Sequence, residues 1–249
     1  ASPIIKDDSK EPAWQTIGPS AVPINDVSPI PKAMTIEDID RVKDDFKKAA
    51  QRAEKSGFDM IEVHGAHGYL LHSFFSPISN KRTDKYGGSF ENRIRFALEI
   101  IGDIKSVWPE NKLIFYRLSS VDGVDGGATL DENVKLAIAL KEAGVDVIDC
   151  SSGGISGSPV LTKFKIIPGF QVPYSEKIKN EANISSMAVG AIINATQAND
   201  IILNNRADLV ALGRELLTDT QWVYKAAKHF NIENATSFLP DSYSFYLSR

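Results

Sequence analysis

From Met60 onward the chain repeats one pattern: a short, mostly apolar run, then a stretch with helical period. Strands read over 60–64, 113–119, 145–151, 185–190 and 209–213. Helices read over about 90–106, 130–143, 175–182, 197–204 and 221–230. Near-continuous apolar strands alternating with helices indicate parallel βα units, whose strands are covered on both faces. A further helix precedes the first strand. Thr35 caps it with Asp38 three residues on. Ile36, Ile39, Val42, Phe46, Ala49 and Ala53 share one face, and Gly57 ends it. The expected fold is α/β, of the TIM (β/α)8-barrel type. Only five βα units are evident, whereas a closed barrel needs eight. Five strands leave two open edges, which proteins normally pair or cover.

At 249 residues the chain has room for one large α/β domain or two small ones. Hydrophobic residues at 43% and charged residues at 24% suit a soluble globular chain with a sizeable core. A net charge of −4 gives no general pull toward nucleic acid or an anionic membrane. No run approaches the ~18 apolar residues of a membrane span. The start, Ala1 to Lys6, has no apolar signal-peptide core. It also lacks Met, which fits a processed, trimmed or incomplete start. A single cysteine, Cys150, excludes an intrachain disulfide and reads as a buried strand thiol. The expected location is cytoplasmic. The chain divides into a proline-rich extended loop region (1–34), a partial barrel (35–230) and a tail (231–249) without clear period.

The candidate chemistry gathers at strand ends. The first strand runs into His64-Gly-Ala-His67-Gly-Tyr69, so two imidazoles and a phenol follow it directly. In βα barrels that end carries the active site. His64 and His67 can donate two hydrogen bonds to one substrate oxygen, and Tyr69 can deliver a proton nearby. A lone His is more often a core residue. As a zinc site the pair lacks an evident third ligand, so no metal is expected. Arg117 sits in an otherwise apolar strand and needs a partner, either a ligand or a strand-end carboxylate. Gly190, Gly213 and Arg214 end the last two strands, where phosphate sites of such barrels lie. Glycine admits close backbone approach, and Arg214 suits a bidentate phosphate contact. The alternative there is a plain turn with a surface arginine. A P-loop and a G-x-G-x-x-G are both absent. Ser151-Ser-Gly-Gly154 reads as site lining rather than a nucleotide loop. Asn80, Arg82, Asp84, Tyr86, Gly87, Gly88, Glu91, Asn92 and Arg93 read as structural.

Two linked motifs, H-x-x-H-G-Y-L from His64 and S-P-x-x-N-x-R-x-D-x-Y-G-G-S-x-E-N-R from Ser76, resemble the old yellow enzyme family of flavin-dependent ene-reductases. The branch resembled is the one with two histidines, and the similarity runs from about Gly18 to about His229. The resemblance implies FMN as cofactor and NADPH or NADH as reductant. It implies reduction of the activated C=C bond of α,β-unsaturated carbonyl compounds, with a small-molecule enone as substrate. His64 and His67 would clamp the substrate oxygen, a placement where one donor can be worth ~3–4 kcal/mol of barrier. Tyr69 would protonate the α-carbon. Arg117 would lie at the flavin pyrimidine, near N1 and O2, and Gly190, Gly213 and Arg214 at its phosphate. Against the family, the strands present are the last five, and the N-terminal third of the barrel has no counterpart. An active enzyme would therefore need a homo-oligomer or a second chain to complete the barrel, unless the missing strands lie outside this sequence. The alternative is a truncated, non-catalytic fragment or pseudoenzyme that binds FMN poorly or not at all and serves, if anything, as a scaffold. A third reading, another barrel enzyme using the phosphate site without flavin, sits badly with Y-G-G-S-x-E-N-R.

Overall fold

The computed structural model describes residues 14–26, 28–156 and 166–248. The loops expected over 5–31 and 152–174 fall partly outside the described residues, as does the chain start. Five parallel strands form one sheet: β3 (Met60–Gly65), β4 (Leu113–Ser119), β5 (Val147–Ser151), β6 (Ser185–Val189) and β7 (Leu209–Ala211), in spatial order β3-β4-β5-β6-β7. Sequential strands that are neighbours, with helices between them, are the repeating unit of a TIM-type barrel. The sheet covers only part of such a barrel. A separate two-residue pair, β1 (Ile17–Gly18) and β2 (Lys32–Ala33), lies in the proline-rich front.

Helices α1 (Ile36–Lys55), α3 (Phe90–Lys105), α4 (Leu130–Ala143), α5 (Val172–Ala182), α6 (Ala195–Leu203) and α8 (Trp222–His229) alternate with the strands. The expected capping box of α1 is present: Asp38 N–H donates to Thr35 Oγ1 (3.1 Å) and Thr35 N–H to Asp38 Oδ2 (3.2 Å). Ile39, Val42, Phe46, Ala50 and Ala53 pack on the core, whereas Ile36 and Ala49 of the expected face are exposed. Thr129 and Glu132 form a second capping box on α4, and Gly144 closes that helix in the left-handed region.

Val63, Ile114, Tyr116, Leu118, Ile148 and Cys150 point outward from the sheet and meet Ile39, Phe96, Ile100, Ile104, Leu140 and Ile178 of the helices in one core. Ile100 and Leu140 are fully buried, each worth roughly 2 kcal/mol of transfer from water. Since side chains alternate along a strand, Glu62, His64, Phe115, Arg117, Ser119, Asp149, Ser151 and Met187 share the opposite, inner face. Five strands curve only part-way round that face. Its lower rows show it: Met60, Leu113 and Leu209 are 38%, 48% and 41% exposed. Among the described residues the outer edges of β3 and β7 pair with nothing.

Several boundaries differ from the sequence reading. β5 starts at Val147 because Val145 N–H closes α4 onto Leu140 O and the Asp146 carboxylate takes Ile114 N–H (2.8 Å). α5 starts earlier, with Pro173 in its first turn, where a missing N–H costs nothing. β7 stops at Ala211 because Gly213 already opens a short helix, α7 (Arg214–Thr218). Helix α2 (Leu70–Phe75) inside the motif loop, a 3-10 turn over Ala235–Phe238 and α9 (Asp241–Leu247) in the tail were not legible. None is long enough to show two full periods. No helix among the described residues is long and apolar enough to cross a membrane.

Candidate active site

All five strands point the same way, so their C-terminal ends meet at one edge. His64 sits there on β3, half-buried and in register with Arg117 on β4, which is in register with Asp149 on β5. The next residue must be glycine, because a Cβ on Gly65 would overlap the buried Tyr116 hydroxyl.

Beyond β3 the backbone turns through two left-handed residues, His67 (φ 60°) and Gly68 (φ 76°). The turn lies against the loop after β5. A Cβ on Gly154 would stand 2.5 Å from His67 Cα, and one on Gly68 would strike Gly154 O. Backbone thus packs on backbone, which is why the Ser-Ser-Gly-Gly run carries its glycines. Strand-end serines hold the turn. Ser119 Oγ accepts from His67 N–H (3.0 Å) and donates to Gly153 O (2.8 Å). Ser151 Oγ lies 2.7 Å from His67 Nε2, leaving Nδ1 as the nitrogen available to a ligand.

The expected trio comes together. His64 and His67 rings stand 5.2 Å apart, as do His64 and Tyr69. Tyr69 starts α2 and is 49% exposed. Burial, then the nearby Arg117 charge, lowers the pKa of both imidazoles, that of His67 to about 4. Both rings are therefore neutral at pH 7, each with one N–H to donate.

Arg117 has found a carboxylate. Its Nε lies 3.2 Å from Asp149 Oδ2. The contact is one of charge rather than a directed bond, since Arg117 Nε and Asp149 Oδ1 are both buried without a hydrogen-bond partner among the described residues. Burial pushes the Asp149 carboxyl up to about 7, with Arg117 opposing and Glu62 adding to the rise. Burial raises Glu62 as well. The inner face thus holds one guanidinium beside two carboxyls whose pKa burial raises, that of Asp149 to about 7, with polar capacity unused. That orphaned, buried guanidinium nitrogen fits a polar ligand placed against the strand end.

Gly190 and Gly213 follow β6 and β7. Gly190 has φ 114°, and a Cβ there would meet Gln171 Nε2 at 2.6 Å. Gln171 is itself fixed by Ser152 Oγ–H (2.5 Å) and by donating to Val189 O (2.9 Å). Gly213 has open space where a Cβ would be, and Arg214 is exposed. The Arg214 guanidinium makes no hydrogen bond or ion pair among the described residues. An unpaired arginine beside two glycines at the sheet's C-terminal edge fits a phosphate.

Sequence reasoning missed Ser119, Asp149, His72 and Asp122, and took Ser151 only as part of a site-lining run. Serine and aspartate at strand ends carry no pattern of their own. The signal available was position: Ser119, Asp149, Ser151 and Asp122 lie near or just past the end of a strand whose neighbour bears a candidate residue, whereas His72 lies within helix α2 of the motif run.

The family model for the NADH:flavin oxidoreductase / NADH oxidase family matches residues 6–233. The chain belongs to that family. Among curated members of the family, an NADPH dehydrogenase of Bacillus velezensis is 47% identical over 86% of this chain and 62% of its own length. The NADPH dehydrogenase of Bacillus subtilis is 45% identical over the same shares. The chain therefore spans about three-fifths of the relatives it matches. Among solved structures, 2-naphthoyl-CoA reductase in complex with 2-naphthoyl-CoA superposes with TM-score 0.76 at 26% identity, over 82% of this chain and 32% of that one. Morphinone reductase superposes with TM-score 0.67 at 26% identity, over 82% and 57%. The expected old yellow enzyme kinship and the barrel type are both met, with the fold present in part.

Proposed function

We propose that this chain carries the substrate-clamping and phosphate-binding side of an FMN-dependent oxidoreductase that uses NADPH or NADH to reduce the activated C=C bond of α,β-unsaturated carbonyl compounds. The observation that carries this reading is the clustering of His67 and Tyr69 around His64, each with its ring 5.2 Å from the His64 ring. Two neutral imidazoles donate to the carbonyl oxygen, where negative charge grows as the β-carbon is reduced. His67 does so through Nδ1–H, in the tautomer whose Nε2 accepts a hydrogen bond from the Ser151 hydroxyl. Tyr69, exposed beside His64, gives its phenolic proton to the α-carbon. Arg117 lies against the pyrimidine side of the cofactor, and Gly190, Gly213 and Arg214 hold its phosphate. Bound FMN would supply the hydride. A cytosolic location is part of this reading, since reduced nicotinamide and a free Cys150 thiol both persist there.

One observation favours a second reading. The inner face is open at Met60, Leu113 and Leu209, and among the described residues both sheet edges are unpaired. Such a face wants cover from a second chain or a second copy, and alone it would bind FMN weakly. The test is the visible spectrum of the purified chain with added FMN, followed by enone turnover with NADPH. Bands shifted from free FMN, and turnover lost in His64→Ala, support the enzyme. Unshifted bands at high FMN overturn it for the chain alone.

A further inference from the structure

His72 lies within the motif run and carries no role in the chemistry above. Its side chain is 1% exposed on α2, wedged between the loop after β3 and the loop after β4. Its Nδ1 accepts from the backbone N–H of Gly68 (2.9 Å). A backbone amide only donates, so Nδ1 is bare and the ring proton sits on Nε2. Nε2–H then donates to Asp122 Oδ1 (2.7 Å). Asp122 is held in turn: its Oδ2 accepts from Ser76 Oγ–H (2.6 Å) and from Ala128 N–H (2.7 Å). The links from His72 to Asp122 and from Asp122 to Ser76 and Ala128 are buried, and the Gly68 link is part-buried.

The relay ends at the one residue between His67 and Tyr69. Gly68 follows His67 in a left-handed turn, a backbone state that a non-glycine residue such as His67 holds only when its surroundings insist. Ser119 pins the His67 amide, and His72 pins the next one. We infer that His72, its tautomer fixed by Asp122, is a positioning residue that locks the His67–Gly68–Tyr69 turn and so aims both side chains. The lock rests on the site reading above for its purpose, but not for its existence. Carboxylates that set the tautomer of a histidine acting on a site are a recurring device.

The prediction is directional. Asp122 Oδ2 receives two donors, so in Asp122→Asn the amide oxygen stays there and the NH2 replaces Oδ1. His72 Nε2 must then accept, its proton moves to Nδ1, and Gly68 N–H meets a donor instead of an acceptor. Histidine 15N spectra of the wild type at neutral pH should show His72 with bare Nδ1 and protonated Nε2. Asp122→Asn should invert that pattern, shift the His67 ring signals and speed Gly68 amide exchange. Phenol affinity of the FMN-loaded variant should fall about tenfold, one hydrogen bond's worth, with FMN affinity unchanged. A second pair isolates the Gly68 bond. His72→Asn and His72→Leu both lose Asp122, but only the Asn carbonyl returns an acceptor at the Nδ1 position. His72→Asn should keep the His67 signals that His72→Leu loses. An Asp122→Asn spectrum with the wild-type tautomer, or identical His67 signals in the two His72 variants, overturns the lock. If His72→Leu does not fold, the Asp122→Asn tautomer decides. If the wild type binds neither FMN nor phenol, the oxidoreductase reading fails while the ring signals and Gly68 exchange still test the lock.

Discussion

His67 Nε2 and Ser151 Oγ stand 2.7 Å apart, joining the turn after β3 to the end of β5 across the intervening strand. The bond decides which imidazole nitrogen faces a ligand. With Nε2 engaged by the serine, Nδ1 is the ring nitrogen left to a ligand, and it donates in the tautomer whose Nε2 accepts from the serine hydroxyl.

Ser151→Ala removes that constraint. The ring loses its orientation and both tautomers become available. We expect a stability loss of about 1 kcal/mol from the missing bond. Phenol affinity of FMN-loaded protein should drop roughly tenfold. Ligand titration and urea unfolding measure the two effects. A variant with wild-type affinity and wild-type His67 ring signals would show that Ser151 merely fills space.

The Asp149 carboxyl and the His67 imidazole push stability in opposite directions with pH. Asp149 in the folded chain titrates at about 7, above the ordinary 3.8, because it is buried. The folded state thus keeps a proton that the unfolded chain releases, and its contribution is lost as pH rises from about 4 to about 7. His67 titrates at about 4, below 6.5, so its contribution is lost as pH falls from about 6.5 to about 4. In the wild type the two slopes largely offset one another over pH 4 to 6.5. Asp149→Asn leaves the His67 slope uncovered. Relative to wild type, the variant should gain stability between pH 5 and pH 7 and level off above, read as urea midpoints. A constant difference across that range would mean Asp149 is ionised throughout.

Gly154 and Gly88 separate two reasons for needing glycine. Both have positive φ, 94° and 81°. A Cβ on Gly88 meets nothing within 4 Å, whereas one on Gly154 meets the His67 backbone at 2.5 Å. Gly88→Ala should therefore cost only the left-handed penalty, about 1–2 kcal/mol. Gly154→Ala should cost clearly more and also move the His67 ring signals. Equal losses would show that the loop after β5 gives way freely.

The order and type of the long elements were legible, because apolar strands and amphipathic helices announce themselves by period. The histidine pair and Tyr69 stood out because their spacing recurs in a known family, and the two glycines because they follow the last two strands. The Asp149 partner of Arg117 was foreseen only as a kind of residue. Which carboxylate it is depends on register between β4 and β5, a pairing over 32 residues that no local pattern records. The same holds for Asp122, which meets His72 across 50 residues. Long-range polar contacts leave no period in the chain, so the polar framework of the site was the part hidden.

Arg214 offers the cleanest test of the phosphate assignment. Its guanidinium is exposed and pairs with nothing among the described residues, so Arg214→Ala sacrifices no internal contact and should leave stability within about 0.5 kcal/mol of wild type. On the proposed assignment it loses a charge-assisted contact to the FMN phosphate, worth about 1.5–3 kcal/mol, or roughly ten- to a hundredfold in affinity. Riboflavin has the same ring and no phosphate, so its affinity should not change. Titrating both flavins against both proteins by fluorescence quenching separates the outcomes. A selective loss for FMN locates its phosphate at Arg214. Equal losses for the two flavins would move the role of Arg214 to the ring, and no loss for either would leave it a surface residue of the turn after β7.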